Sequence, residues 1–382
     1  MRIGILTLPL RYNYGGILQA WALQTVMARM GHDVSVLNPN IPKHPMVFRQ
    51  PLTYAKRIIL NILGRRVPIF PEKSYYNTDK IIGVNMRHFI DKYIKEYHYD
   101  LLTDINKDDF DMFVVGSDQI WRPEYFLGRR QISKAFLSFT KGWNVRRISY
   151  AASFGKDNID NWSRRNIKAC GEALRQFDAV SVREKSGVQI CKEKFGVYAI
   201  QVLDPTMLLC KDDYLQLIKS FDLPKSPGNL HYYFLDETSD KMSLVDLIAK
   251  ERNLVPFRVN SKVEDYSANI KDRIQPPLEQ WLRAFCDSDF IITDSFHACV
   301  FSIIFNKQFV VYVNENRGTA RYESLLNPLR LTNRIVHKSE DFHCIDLDIN
   351  YSIVNKRLDV LRERSMKYLC DSVKIYVNSC CH

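Results

Sequence analysis

Glycine and proline are sparse in this 382-residue chain, 15 of each, which excludes collagen-like, low-complexity and broadly disordered classes. No apolar stretch approaches the ~18 to 20 residues that would cross a bilayer. The nine cysteines, an odd number, run from Cys170 to the vicinal pair Cys380-Cys381 without one C-x-x-C spacing. Reduced thiols in a cytoplasmic protein, with no structural zinc site, are the expectation; the vicinal pair is either a soft-metal ligand or plain tail. Acidic residues are in the minority, 43 against 54 Lys and Arg for a net charge of +11, which favours anionic partners without naming them. No helix-turn-helix, zinc-finger or aromatic RNA-binding signature accompanies the basic residues, so nucleic acid is not expected. The opening "MRIGILTLPL" has no small-residue cleavage site and reads as a first strand, not a signal peptide.

What is present is a globular composition, 46% apolar and 25% charged, in a chain longer than the ~250 to 300 residues at which single cores stop growing. Two domains are therefore expected. "RIGILTL", a helical stretch from about Gly16 to Met30 and "DVSVLN" form one βαβ unit, and "DMFVVG", "RRISYAAS", "AVSVRE" and "AIQVLDP" continue as buried parallel strands. After Asp204-Pro205 the alternation restarts with "HYYFLD", "VPFRVN", "FIITDS" and "QFVVYVN". The expected fold is α/β, with two Rossmann-like doubly wound domains facing across a cleft, spanning 1–208 and 209–345. Residues 346–382 form an amphipathic helix through Leu358, Leu361, Leu369 and Val373, expected to pack back on the first domain. Residues 43–80 form a basic insertion, with eight Lys and Arg against Glu72 and Asp79. Its "YAKRIILNILGRR" suits either a helix lying on an anionic membrane, over 43–73, or a helix packed on the domain with a basic outer face.

In doubly wound sheets ligands gather beyond the carboxyl ends of the strands. Asn13-Tyr14-Gly15-Gly16 follows the first strand and opens a helix, offering backbone amides to an anion or sugar, or simply a tight turn. "VVGSDQIW" ends a strand in Ser117, Asp118 and Gln119 with Trp121 beside them, which suits a sugar ring or a helix cap. Arg183 ends another strand, where it grips a carboxylate or phosphate of a ligand or pairs with a cleft aspartate such as Asp204. "FIITDSFHACVFSIIFN" sets Asp294, Ser295, Phe296 and His297 between a strand and a helix; a histidine there, with an ordinary pKa near ~6.5, can move protons at neutral pH. "NENRGTARYESLL" brings Arg317 and Arg321 towards the same mouth.

On "GILTLPLRYNYGGILQAWALQ", "FDMFVVGSDQIW", "AVSVREKSG", "VLDPTMLL" and "FIITDSFHACVFSIIFNKQFVVYVNENRGTARYESLL", in this order from residue 1 to about 335, the chain resembles the polysaccharide pyruvyl transferase family. The resemblance implies a GT-B-like fold and a reaction in which phosphoenolpyruvate, a co-substrate, gives a pyruvate ketal to two hydroxyls of a sugar. It implies no metal and no cofactor. The implied acceptor is commonly a lipid-linked glycan precursor on the cytoplasmic face of a bacterial membrane. Carried over, His297 is the general acid and base and Asp294 its orienting group; Arg183, Ser295, Phe296, Arg317 and Arg321 bind the donor. Asn13, Tyr14, Gly15, Gly16, Ser117, Asp118, Gln119 and Trp121 address the acceptor. One departure matters: many members carry Arg-Leu-His where this chain has Ser295-Phe296-His297, and a serine cannot make a bidentate contact, so Arg317 and Arg321 are the candidate replacements. The rival is a glycosyltransferase using a nucleotide sugar in the same cleft.

Overall fold

The computed structural model describes residues 1–41, 50–62, 71–126, 128–263, 265, 267–313, 319–344 and 348–374. The first domain starts with β1 (Arg2–Leu6), α1 (Tyr14–Arg29) and β2 (Asp33–Pro39), a βαβ unit with its two strands parallel. Helices α2 (Gln50–Ile62), α3 (Pro71–Ile82) and α4 (Val84–Tyr93) lead to β3 (Glu96–Tyr99), β4 (Met112–Val115) and β5 (Arg146–Ser149). These strands form one parallel sheet in the order β3-β2-β1-β4-β5, with Ile3 paired to Val34 on one side and Met112 on the other. Helix α5 (Arg164–Leu174), β6 (Ser181–Val182), α6 (Lys185–Ile190) and β7 (Ile200–Gln201) follow. Single bridges from Ile148 to Ala179 and from Ala152 to Val182 attach β6 to the edge beyond β5.

The second domain repeats the plan: α7 (Lys211–Lys219), β8 (Leu230–Tyr233), α8 (Ser239–Arg252), β9 (Pro256–Phe257), α9 (Leu278–Asp287), β10 (Phe290–Thr293), α10 (Phe296–Ile304), β11 (Gln308–Tyr312), α11 (Ala320–Leu329) and β12 (Ile335–Val336). Its sheet is also parallel, in the order β12-β11-β10-β8-β9. Both sheets are covered on two faces, which is why β4 is apolar at every position, β10 at all but its last, Thr293, and both are buried throughout. Strands β6, β7 and β9 are shorter than their apolar runs suggest, two residues each.

The domains share one core. Ile3 and Ile5 face α1, and the same cluster continues through Tyr14 to Trp281, Phe301 and Val311 of the second domain. Tyr14 stacks on Trp281 with ring centroids 5.2 Å apart and donates its hydroxyl to the Pro276 carbonyl at 2.9 Å. Helix α12 (Tyr351–Lys374) closes the chain from outside. It starts on the second domain, where Arg357 donates to the Leu329 carbonyl. It ends on the first, where Ser365 accepts from Leu203 N, Tyr368 donates to Ser149 O and Ser372 O accepts from Arg146.

Candidate active site

Four of the polar residues singled out in the sequence, Ser117, Asp118, Arg183 and His297, gather with Asp204 at the carboxyl ends of strands from both sheets. Gln19 of α1 organises the first layer: its amide nitrogen donates to Thr7 Oγ1 at 2.8 Å, and its oxygen accepts from Ser117 N at 2.9 Å. Ser117 Oγ then donates to Asp204 Oδ2 at 3.1 Å, while Thr206 donates its amide and hydroxyl to Asp204 Oδ1. Asp118 holds a left-handed backbone, φ 64°, a conformation Asp tolerates better than most residues, and this turns its carboxylate towards Arg183.

Arg183 is the hub. Its guanidinium lies 3.0 Å from Glu184 Oε1, 3.2 Å from Asp204 Oδ2 and 3.5 Å from Asp118 Oδ1, with its Cζ 4.3 Å above the Phe296 ring. Burial alone would lower the Arg183 pKa, but the three carboxylates outweigh it and raise it above the usual arginine value. Three carboxylates against one guanidinium leave the cluster short of positive charge. Of the two arrangements the sequence allowed for Arg183, the structure shows the pairing with Asp204.

His297 stands in the first turn of α10, capped by Ser295, whose hydroxyl accepts from Ala298 N at 3.5 Å. Its Nε2 lies 3.6 Å from Asp204 Oδ2, an ion-pair distance longer than a hydrogen bond. Its other nitrogen faces Gly15 of the first domain, where an added Cβ would fall 2.1 Å from Nδ1. Burial alone would push the Asp204 carboxyl up; His297, Arg183 and Thr206 together hold it well below the usual carboxylate range.

Asp294 does not orient His297. Its oxygens accept from Leu235 N at 2.6 Å, Asp236 N at 3.1 Å and Lys241 Nζ at 2.6 Å, in an ion pair buried on both sides. The carboxylate beside His297 is Asp204, which the sequence reading placed only as a partner of Arg183; Glu184 was missed as well. The available signal was that both lie at strand ends, Glu184 directly after Arg183 and Asp204 before a proline.

The acceptor set divides. Trp121 is wholly buried, stacked on Phe136 at 4.7 Å with its indole N–H donated to Ala135 O, and so belongs to the core. Tyr14 is spent on the domain seam. Gln119 accepts from Arg122. Asn13, exposed, caps α1 by accepting from Gly16 N at 3.1 Å, and Gly16 is half-buried at the same mouth. Arg317 lies outside the described residues. Arg321 is buried, its Cζ 4.9 Å from the Tyr322 ring and its terminal nitrogen donating to Tyr322 Oη at 3.2 Å; its Nε has no hydrogen-bond acceptor among the described residues. Tyr322, pushed up to about 12 chiefly by burial, donates in turn to the Asp294 carbonyl. Among the described residues no group of His, Cys, Asp and Glu has the arrangement of a metal site, and no helix is long and apolar enough to cross a membrane.

Two parallel, doubly wound domains with a charged cluster at their seam define a GT-B-type α/β protein. Residues 13–316 match the sequence model of the polysaccharide pyruvyl transferases, and the chain belongs to that family. It is thus a transferase acting on polysaccharide. Among solved structures it resembles the Arabidopsis thaliana protein UGT89C1 complexed with UDP-L-rhamnose, with a TM-score of 0.50 at 10% identity over 100% of this chain and 99% of that one. It also resembles the UDP-GlcNAc 2-epimerase from Neisseria meningitidis bound to UDP-GlcNAc, with a TM-score of 0.44 at 10% identity over 97% of this chain and 94% of that one. A search of curated proteins finds no match.

Proposed function

We propose that the chain transfers the three-carbon unit of phosphoenolpyruvate to two hydroxyls of one sugar as a ketal, releasing phosphate, on a lipid-linked or polysaccharide precursor. The observation that carries this reading is His297, set at the seam between Asp204 and the Gly15 turn in a protein of this family. Protonation of the donor's methylene carbon leaves an oxocarbenium-like centre that one hydroxyl attacks. The attacking hydroxyl gives its proton to His297, phosphate leaves by cleavage of the C2–O bond with the electron pair and that proton, and the second hydroxyl attacks the new oxocarbenium centre to close the ring, returning its proton to His297. His297 serves as general acid and then base, while Asp204 fixes the imidazole.

The donor is dense in negative charge. Arg321, a buried guanidinium without a carboxylate partner among the described residues, suits its anion, and Arg317 and Ser295 remain proposed contacts. Asn13, Gly16 and Asp118 are proposed to address the acceptor diol. The chemistry calls on no metal and no organic cofactor, and the donor puts the reaction in the cytoplasm, at the inner face of the membrane if the acceptor is lipid-linked.

The test is thermal stabilisation by phosphoenolpyruvate against a panel of nucleotide sugars, since a ligand of the folded state alone raises the midpoint. The expected result is a shift with phosphoenolpyruvate that Arg321→Met removes, and phosphate release that His297→Ala lowers by about a hundredfold or more. A shift with a nucleotide sugar and none with phosphoenolpyruvate would make the chain a GT-B glycosyltransferase instead.

A further inference from the structure

Helix α2 is an amphipathic element without a core to cover. None of its described side chains is buried. Leu52, Ile58 and Ile59 are 81%, 45% and 55% exposed, and with the exposed Ala55 their spacing of three and four residues sets them along one side of the helix. Leaving three large aliphatic side chains in water is unfavourable, and no described residue covers this side. Tyr54, Arg57 and Leu60, on the other side of the helix, are half-buried.

Charge indicates what covers it. The helix sequence "QPLTYAKRIILNI" has Lys56 and Arg57 and no acidic residue, and Lys56 is exposed at the border of the apolar side. Two copies of α2 facing each other would oppose like charges, whereas an anionic lipid surface takes both the aliphatic side and the cations.

We propose that α2 lies in the interface of an anionic bilayer, its aliphatic side towards the acyl boundary and Lys56 among the headgroups. This inference stands on α2 alone and is independent of the donor.

The test is co-sedimentation of the full chain with phosphatidylcholine vesicles, with and without phosphatidylglycerol. Binding is expected only with the anionic lipid and is expected to weaken in high salt. Lys56→Glu should weaken partitioning roughly fivefold or more, and Ile58→Asp/Ile59→Asp should abolish it while the melting midpoint stays unchanged. Equal binding to neutral vesicles, or wild-type binding by the double aspartate variant, would overturn the proposal. So would absence of vesicle binding together with a dimer in ultracentrifugation that the same variant dissociates; that result would assign the face to a second copy of the chain. Phosphate release from phosphoenolpyruvate with a water-soluble acceptor reports separately on the chemistry.

Discussion

The ring of His297, from the second domain, rests on the bare Cα of Gly15, from the first, so that a methyl group added there would meet Nδ1 at 2.1 Å, Cγ at 2.2 Å and Cβ at 2.6 Å. No rotamer adjustment of a few tenths of an ångström relieves three such contacts. Gly15→Ala must therefore displace the imidazole or part the domains, at a cost of ~1 to 3 kcal/mol and with turnover largely lost. For stability Gly16→Ala is the control, because its nearest neighbour would be 3.5 Å away. Thermal melting of both variants, with phosphate release on Gly15→Ala, decides it; equal melting of the two would mean the seam does not hold His297.

Asp204→Asn keeps the shape of the hub and removes a charge shared by Arg183 and His297. A loss of about 2 to 4 kcal/mol in stability is expected, towards the range for breaking a buried pair, together with a fall in turnover. The sign with pH is fixed by the lowered Asp204 pKa. Its contribution is complete above the ordinary carboxylate pKa of ~3.9 and disappears as acid protonates the folded carboxyl. Unfolding curves of wild type and variant should thus converge as the pH is taken below ~4, and a gap that widens in acid would refute the assignment.

His231 is fully buried between Phe257 at 5.1 Å and Phe285 at 5.4 Å, and burial pushes its pKa from 6.5 to about 4. The folded state thus keeps it neutral where the unfolded chain would already take a proton. Stability is unaffected above pH ~6.5 and falls between there and about 4, by roughly 3 kcal/mol from this residue. Urea unfolding at a series of pH values should show that slope, and His231→Leu should flatten it. An unchanged slope in the variant would move the acid sensitivity elsewhere.

Lys241 and Asp294 test structure against chemistry. Their pair is buried on both sides at 2.6 Å and ties α8 to the end of β10. Lys241→Met should destabilise by about 3 kcal/mol or more, since it leaves a buried carboxylate without its cation. Turnover per folded molecule should change little. A variant that melts like wild type but has lost activity would return Asp294 to the reaction.

The architecture could be read from the sequence because parallel strands buried on both faces leave uninterrupted apolar runs, as in Met112–Val115, and because polar residues cluster where those runs stop. The same logic located His297 and Arg183. It could not tell which aspartate faces the histidine: Asp294 is three residues away in sequence yet bonded to Lys241, whereas Asp204 arrives from the other domain. Nor could it separate Trp121 from a sugar platform, since an aromatic beside Asp and Gln looks the same whether its ring faces solvent or, as here, Phe136. For Arg183 the sequence left donor grip and pairing with Asp204 both open, because Asp118 and Asp204 reach it from 65 and 21 residues away and only Glu184 adjoins it in the chain.

The path of α12, from Arg357 on the second domain to Tyr368 and Ser372 on the first, bears on how this protein can be recombined. The break in topology at Asp204-Pro205 invites a simple swap of halves between relatives. Such a chimaera would bring in a foreign last helix, whose final turns must find Ser149 and Arg146 in a host they did not evolve with. The inheritable unit is discontinuous: whoever exchanges the first domain must take the end of the chain with it.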